Sequence, residues 1–534
     1  MESSDLETLR NFWGKDRVLL IGIDLGTTFS GVSYGVWKDP SVNGNVSPNP
    51  VVCWPGVGNL STKIETAVSY DDSGDCSWGW LALEQPNVMS WFKLLLPGDG
   101  ELHFNVNDLK EVQQAKATMQ RLGKRLVDVV GDYLRMIFQY TLQYIRQERG
   151  DVADVLPFHI IFAVPAIWKE KALDYMRQDI RLSCITNARP NGVAKTTYRF
   201  VTEPEAAAMA VVPEFTEPFE IREVVEGSGG LCGAAFLDNS FRNFMKKKSL
   251  DEGLIWDELH REDQLHVLTA WEGRIKNDEV RTLFDSLKPE IEKLVRRQVI
   301  AVQEKTLRPP KYILLVGGFG QSPYLYNSLK RTYNGHVTVF QGKGSSPSSC
   351  VSRGAVICGM KQQVLIHSRI SRFSYGFVLD KPFEKGVHHK DDKYFDESRG
   401  YYMAQDQMEW LVKRGDDVAI REPQTFYYER RIDHRARGRR EFREVIWESR
   451  SSKPSNRKAD LDNDEDFMVA KSILITTPPV EQLPKIKHEG TLWYLFAYDL
   501  KVEVSGASIK LSAKWTKDRS VELIAECVNV VVGA

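Results

Sequence analysis

The sequence lacks the cysteine spacing, the long apolar runs and the excess of one charge that mark several common protein classes. Its seven cysteines are scattered, odd in number and free of C-x-x-C pairs, which indicates reduced thiols rather than a disulfide framework. No run of about 18 apolar residues occurs, and the mixed, charged start does not resemble a signal peptide. A net charge of -1 gives no basic footprint for nucleic acid. We therefore expect a cytoplasmic or nuclear protein with neither a membrane nor a nucleic-acid partner.

The first two thirds of the chain alternate predicted strands and helices. Apolar residues at spacings of three and four predict the helices, and short β-rich or continuously apolar runs predict the strands. The strands are expected at 18–23, 31–36, 158–165 and 311–320, and the helices at 110–148 and 284–304. This order predicts α/β layering, and the length of 534 residues predicts several folding units.

From about residue 366 the pattern changes to short alternating runs, which are typical of a β-rich module. The runs "LKVEV" and "IKLSAKW" on either side of "SGAS" predict a hairpin over 500–515. The polar segment 448–467 predicts a mobile loop. The basic segment 429–450 is either a patch for nucleic acid or an acidic partner, or a solvated β-hairpin tip. The acidic run 460–467 favours the hairpin tip.

The segment "DLGTT" lies between the first two predicted strands, where a turn with convergent N–H groups can hold a phosphate. Gly26 permits such a turn, and Thr27 and Thr28 add hydroxyl groups. The Asp24 carboxylate is suited to the water shell of Mg²⁺. On these residues alone, a phosphate site and an ordinary hairpin turn are equally good interpretations.

Four separated motifs agree with one protein family. They are "IGIDLGTTFSGVSYG" (21–35), "VTEPEAAAMA" (201–210), "LLVGGFGQSPYL" (314–325) and "RGAVICG" (353–359). In order and approximate spacing they resemble the ATPase domain of the 70 kDa heat-shock proteins, and the details "WFKLLL" and "GSGGLCGAAF" resemble its divergent, lid-less fungal and animal branch. The resemblance implies a two-lobed actin-like (ribonuclease H-like) ATPase fold that closes on ATP or ADP with Mg²⁺.

The same resemblance implies a domain organisation. Residues 1–16 would be an N-terminal extension and residues 17–365 the nucleotide-binding domain. Its first lobe would cover about 17–210 and its second lobe about 221–365. Residues 366–534 would form a β-rich module similar to a reduced substrate-binding domain, which implies a polypeptide client or a regulatory protein as partner.

The resemblance also implies nucleotide contacts for single residues. Asp24 would orient Mg²⁺ through water, and Thr27 and Thr28 would reach the β- and γ-phosphates. Backbone close to the nucleotide would come from glycines, which leave room for a ligand. The other implied nucleotide-binding residues are Gly26, Gly229, Gly230, Lys276, Gly317, Gly318 and Gly320.

Two further residues resemble the catalytic groups of the family. Lys93 is similar to the lysine that meets the γ-phosphate and the attacking water, and Glu203 to the carboxylate that holds water and metal. Each has a plainer interpretation. Lys93 would be an exposed lysine beside a core pair formed by Trp91 and Phe92, and Glu203 an acid at a helix start, where the helix dipole favours it.

The second phosphate loop of the family, an Asp-x-Gly-Gly-Gly-Thr segment between two strands, does not occur in this chain. No buried strand pair is predicted between Ala210 and Glu226. We therefore expect an incomplete second lobe and impaired hydrolysis, because loss of one such donor set costs about a hundredfold or more in rate. The origin is either a degenerate ATPase or a segment lost from the coding sequence, and the abrupt junction favours the second.

The combined prediction is a chaperone-like ATP-binding protein of the 70 kDa heat-shock type whose ATP hydrolysis is impaired. One alternative is a non-hydrolysing pseudo-ATPase scaffold for protein interaction. A less favoured alternative is a small-molecule kinase of the same superfold, because nothing in the sequence marks a sugar pocket.

Overall fold

The chain is described by a computed structural model, in which contacts divide it into two units. The first unit is Met1–Pro218 with Gly227–Val364, and the second is Phe219–Glu226 with Leu365–Ala534. The structure describes residues 17–38, 47–56, 60–98, 106–187, 189, 193–211, 221–230, 233–260, 263–264, 267, 281–341, 346–360, 366–419, 424–464, 466–488, 490–505, 508–516 and 525–528. Within these ranges, no helix combines the length and the apolar character that a bilayer crossing requires.

The described elements are numbered along the chain. The helices are α1 Trp80–Leu83, α2 Lys110–Leu122, α3 Leu126–Arg149, α4 Val152–Val155, α5 Glu170–Leu182, α6 Glu203–Val211, α7 Ala234–Asp251, α8 Arg281–Thr306, α9 Gly317–Gly320, α10 Pro323–Thr332 and α11 Ser346–Met360. The first strands are β1 Arg17–Asp24, β2 Phe29–Lys38, β3 Asn49–Pro50, β4 Ile64–Glu65, β5 Ala67–Tyr70, β6 Cys76–Trp78, β7 Met89–Ser90, β8 Phe158–Val164, β9 Thr197–Thr202, β10 Ile221–Arg222, β11 Tyr312–Leu315 and β12 Thr338–Gln341. The later strands are β13 Ile366–Ile370, β14 Ser374–Pro382, β15 Lys393–Asp396, β16 Tyr401–Val412, β17 Asp417–Ala419, β18 Gln424–Asp433, β19 Glu441–Ser449, β20 Phe467–Thr476, β21 Lys485–His488, β22 Thr491–Ser505, β23 Ser508–Trp515 and β24 Ala525–Val528.

The first unit is organised around a mixed sheet with the strand order β3-β2-β1-β8-β9. Strands β1 and β2 form an antiparallel hairpin, whereas β8 runs parallel to both β1 and β9. The side chains of β1 from Leu19 to Ile23 and of β8 from Ile160 to Val164 are buried, as expected of central parallel strands covered on both faces. The predicted strands at 18–23 and 158–165 and the mixed α/β class are confirmed.

The single long helix predicted over 110–148 is wrong, because two helices occupy this segment. Helix α2 ends at Gly123, which adopts a left-handed conformation (φ 62°) that glycine tolerates best. Helix α3 then begins after Arg125, whose backbone N–H donates to the Asp128 carboxylate at 3.0 Å. The apolar spacing continues across both helices, so periodicity alone did not reveal the break.

The later part of the first unit confirms the predicted helix at 284–304, which is α8. The strand predicted over 311–320 is shorter: β11 pairs in parallel with β12, and the glycines after it form the helical turn α9. In the described residues between 227 and 360, β11 and β12 are the only strands. Strand β10 pairs instead with β13, so residues 221–226 lie with the second unit.

The second unit is a β-rich unit with two larger sheets in the described part of the chain. Their strand orders are β15-β16-β14-β19-β20-β24 and β18-β22-β21, with β23 paired to β22. Side chains from both sheets share one core, which includes Phe377, Ile446, Ile473, Phe496 and Leu511. Strands β22 and β23 form the predicted hairpin, with Val502 opposite Leu511 and Leu500 opposite Ala513.

The hairpin tip predicted for the basic segment 429–450 is wrong. Strand β18 pairs with β22, whereas β19 pairs with β14 and β20, so the segment passes from one sheet to the other. Arg430 forms an ion pair with the buried Glu444 across this connection, and Arg435 pairs with Asp433 at 2.6 Å. Arg430 and Arg435 are therefore compensated by carboxylates within the unit.

The polar segment 448–467, predicted as a mobile loop, is held by specific contacts. The Arg457 guanidinium donates to both oxygens of Asp392 at 2.8–3.0 Å, and the Trp410 indole N–H donates to the carbonyl of Ser455 at 3.0 Å. Leu461 is buried in a cluster with Met408. Polar composition predicted mobility, but one bidentate ion pair and one buried leucine anchor the segment.

We predict that Asp392→Asn makes the segment 450–464 more sensitive to trypsin, because Arg457 loses its bidentate anionic partner. The measurement is the cleavage rate after the basic residues of this segment, and we expect a several-fold increase. Asp462→Asn is the matched control, since Asp462 pairs with Lys458 from an exposed position. Equal cleavage rates for wild type and Asp392→Asn would contradict the proposed anchor.

A buried carboxyl group lies between two helices of the first unit. Asp179 of α5 is fully buried against α3, and its carboxyl oxygens have no hydrogen-bond partner among the described residues. Burial raises the pKa of Asp179 to about 8, and the nearby charge of Asp128 adds to the effect. The folded unit therefore holds a proton here that the unfolded chain releases near pH 4.

We predict that Asp179 destabilises the first unit progressively as the pH rises from about 4 to 8, because the unfolded chain loses the Asp179 proton near pH 4 whereas the folded chain keeps it to about pH 8. Asp179→Asn carries no ionisable group and should flatten this dependence, with the largest gain in melting temperature near pH 8. Calorimetry across this pH range measures the effect. Asp174→Asn, on the same helix but paired with Arg177 near the surface, is the control. Parallel pH profiles for wild type and Asp179→Asn would refute the assignment.

Candidate functional site

The turn between β1 and β2 is tight and contains the residues predicted to contact phosphate. Asp24 ends β1 and is 7% exposed, while Thr27 and Thr28 are half-buried in the turn. A Cβ atom on Gly26 would overlap the carbonyl oxygen of Phe29, so this turn requires glycine. The predicted residues are thus together in one hairpin turn.

Asp24 has a partner that sequence reasoning missed. The Lys63 ammonium group donates to the Asp24 carboxylate, and the two side chains are only 17% and 10% exposed. Lys63 directly precedes β4, the short strand that pairs with the start of β2. No motif marks this lysine, and 39 residues separate it from Asp24.

A second lysine and carboxylate form an ion pair in the same unit. The Lys93 ammonium donates to Glu203 at 2.8 Å, with side-chain exposures of 7% and 33%. The Lys93 ammonium also lies 5.6 Å from the centre of the Trp168 ring. Glu203 is the first residue of α6, and the N–H of Thr202 donates to the Glu205 carboxylate at 3.0 Å at this helix start.

The plainer interpretations of Lys93 and Glu203 are met only in part. Trp91 and Phe92 are buried, as the core-pair interpretation requires, but Lys93 is buried as well rather than exposed. Glu203 does lie at a helix start, where the dipole favours it, and it also pairs with Lys93. The helix position and the ion pair therefore coexist.

The sheet register places both ion pairs at one edge of the sheet. Asp24 is opposite Ala163, and Val164 is opposite Thr202, the residue before Glu203. The carboxyl ends of the parallel strands β1, β8 and β9 meet at this edge, which is where open α/β sheets usually bind ligands. Two enclosed ammonium groups at such an edge are suited to a polyphosphate.

The surroundings of the other predicted glycines support a nucleotide site less clearly than the turn at Gly26 does. Gly229 and Gly230 are exposed, and a Cβ atom on Gly229 would lie 3.2 Å from the side chain of Ile167, next to Trp168. A Cβ atom on Gly317 or Gly318 would meet no atom of the described residues within 4 Å. Gly320 is buried, and helix α9, which spans Gly317–Gly320, packs against α11.

Two sequence predictions fall wholly or mainly outside the described residues. Lys276, predicted beneath the nucleotide base, lies outside them. The stretch in which the second phosphate loop would occur is also largely outside, at 212–220. In the described part of this stretch, residues 221–226, the two-residue strand β10 is the only strand or helix.

The residues of the site fit a polyphosphate better than they fit Mg²⁺ on Asp24. The Lys63 ammonium lies on the carboxylate that would orient the hydrated metal. In the described ranges, no group of three or more His, Cys, Asp and Glu side chains is arranged to hold a metal ion.

Comparison with known proteins adds one match, which lies in the second unit. Residues 369–471 match the model of a domain of unknown function (DUF8568). No curated protein matches the chain. The matched region covers β14 to β19 and part of β20, so it is the β-rich unit that is similar to this family.

We predict that Glu203→Gln lowers the free energy of unfolding of the first unit by about 1–3 kcal/mol, because Lys93 is left enclosed without an anionic partner. Adding Lys93→Met should recover part of this loss in a double-mutant cycle measured by denaturant unfolding. Glu205→Gln is the matched control, since glutamine still accepts the Thr202 N–H at the helix start. Strictly additive effects of the Lys93 and Glu203 substitutions would show that the pair contributes nothing.

Proposed function

We propose that this protein is an ATP- or ADP-binding, chaperone-like protein of the 70 kDa heat-shock type, with a two-lobed actin-like (ribonuclease H-like) fold in its first unit. One observation carries the proposal. A glycine-dependent turn and two enclosed lysine–carboxylate pairs lie at the carboxyl ends of the parallel strands. Two of the four ordered sequence motifs, 21–35 and 201–210, lie on the elements that carry the turn and Glu203. The resemblance of all four motifs supports the proposal.

The charge arrangement gives the site its chemistry. Ammonium groups in a partly enclosed site attract phosphate oxygens more strongly than they would in water. In this proposal, backbone N–H groups of the turn at Gly26 and the hydroxyls of Thr27 and Thr28 would donate to the phosphates. Lys93 and Glu203 are the proposed catalytic pair, with Lys93 directed at the terminal phosphate and Glu203 at the attacking water.

Hydrolysis in this proposal is slow. The sequence has no second Asp-x-Gly-Gly-Gly-Thr loop, and in the described residues between 227 and 360 the strands are limited to β11 and β12. A single phosphate hairpin supplies fewer fixed donors to the transition state. These observations favour, as second candidate, a pseudo-ATPase scaffold that binds nucleotide or keeps the fold for protein interaction alone.

The second unit is the proposed site for a polypeptide client or a regulatory protein. It carries exposed aromatic side chains, a feature of protein-binding surfaces, at Phe395, Tyr401, Tyr402 and Tyr427. The free thiols of the described cysteines agree with a reducing compartment, and we propose the cytoplasm or the nucleus.

We predict that the full chain binds ATP and ADP in isothermal titration calorimetry, and that Lys93→Met weakens binding by about tenfold or more, because a charge-assisted contact to phosphate is lost. Lys305→Met, at the exposed end of α8, is the control and should leave the affinity unchanged. Absence of binding by the wild type would remove the proposed function.

A turnover assay separates the remaining candidates. We expect phosphate release from ATP to be very slow in the wild type, and to remain so in Glu203→Gln. Steady turnover that Glu203→Gln abolishes would refute the pseudo-ATPase candidate. Phosphoryl transfer to a sugar or a small acid, tested in the same reactions, would instead favour a small-molecule kinase.

A further inference from the structure

We propose that Lys63 is a built-in counterion that takes the place of the divalent cation at Asp24, so that the site binds nucleotide without requiring Mg²⁺. This inference rests on the proposed nucleotide site. Its starting observation is the ion pair between the Lys63 ammonium and the Asp24 carboxylate, in which both side chains are largely enclosed.

The β1–β2 hairpin leaves room for the Lys63 side chain at Gly31. Asp24 and Gly31 are directly opposite each other in the β1–β2 register. A Cβ atom on Gly31 would lie 3.0 Å from Cδ of Lys63 and 3.2 Å from its Cε and Nζ. The Lys63 side chain therefore runs across the α-carbon of Gly31 to reach Asp24, and a side chain at position 31 would force Lys63 to shift.

The backbone that carries Lys63 is fixed on both sides. Its own N–H donates to the Ser61 hydroxyl at 3.2 Å, and that hydroxyl donates to its carbonyl at 2.8 Å. Thr62 is hydrogen-bonded to Ser348 at 2.6 Å, and farther along Thr66 is hydrogen-bonded to the buried Ser30 at 2.8 Å. These contacts tie the Lys63 segment to α11 and to β2, so the ammonium group is held in place.

A hydrogen bond from α3 also holds the segment that carries Lys63. The hydroxyl of Tyr133, a fully buried residue of α3, donates to the carbonyl of Glu65 at 3.0 Å. Burial raises the pKa of Tyr133, so this hydroxyl remains a neutral donor. A surface lysine that paired with a carboxylate by chance would not lie in a segment that is hydrogen-bonded to three other elements, β2, α3 and α11.

Electrostatic repulsion favours the Lys63 ammonium over Mg²⁺ as the cation at Asp24. A hydrated Mg²⁺ approaching Asp24 would have to displace the Lys63 ammonium or be repelled by it, and displacement would leave a largely enclosed charge unpaired. An ammonium group has three N–H donors, so Lys63 can keep its bond to Asp24 and donate to a phosphate oxygen. The chain thus supplies, in the pair of Lys63 with Asp24, an ammonium donor for a phosphate oxygen at this hairpin.

The test compares nucleotide affinity of the full chain in EDTA and in excess Mg²⁺, using ATP and ADP as probes. We expect the wild-type affinities to differ by less than about threefold between the two conditions. Lys63→Met should weaken binding in EDTA by about tenfold or more and regain much of it with Mg²⁺, because Asp24 is then free to orient the metal. Lys93→Met should lose nucleotide affinity equally in EDTA and in Mg²⁺. Lys305→Met should keep the wild-type affinity in both.

A further variant covers the case in which Lys63→Met does not fold. Asp24→Asn removes the carboxylate and keeps Lys63, so its binding should remain independent of Mg²⁺. Wild-type binding that requires Mg²⁺ would overturn the inference and leave the proposed function standing. Absence of binding in both conditions would remove the proposed function itself, so the two failures are distinguishable.

Discussion

An enclosed ammonium group needs an anionic partner, and the first unit meets this requirement twice at one edge of its sheet. Each pair joins segments far apart in sequence: Lys63 reaches back to β1, and Lys93 reaches forward to the start of α6. Removing one partner would leave the other as an uncompensated charge in partly dry surroundings, which costs more than the pair itself contributes. The geometry of this edge is therefore held by electrostatics as well as by the apolar strands beneath it.

Hydroxyl contacts under this edge keep the hairpin in position. Ser30 and Thr66 are hydrogen-bonded within the buried layer, and Ser33 of β2 is hydrogen-bonded to Ser352 of α11 at 2.8 Å. Buried polar groups of this kind are costly unless they are satisfied, so each pair specifies one alignment of its two elements. Helix α11, which carries the last of the four motifs, thereby becomes part of the support of the turn between β1 and β2.

The sequence predicted local features well and long-range ones poorly. The hairpin around Gly26, the buried strand β8 and the hairpin of β22 and β23 follow from residue spacing and turn chemistry, which act within a few residues. The helix break at Gly123 was not predicted, because an apolar stripe can continue across two consecutive helices. The basic segment near Arg435 was misjudged because strand partners in two different sheets leave no trace in local composition.

Lys63 is the clearest case of what local patterns miss. A single lysine in a polar stretch is most often solvated, and its role here depends on Gly31 leaving room, on Ser61 fixing the backbone and on Asp24 lying within reach. Each of these conditions is ordinary by itself. Only the fold brings them together, so the pairing could not be read from composition, periodicity or motif spacing.

In the function we propose, both lysine pairs would already be formed before a nucleotide binds. A contact that is equally strong in the ground state and the transition state tightens binding without accelerating the reaction. Acceleration would require groups that act mainly on the developing charge, and Glu203 is already engaged with Lys93. A site built from such preformed pairs is suited to retaining a nucleotide rather than turning it over. In the function we propose, occupancy of the site, more than repeated hydrolysis, would then be the state that the β-rich unit and its partner respond to.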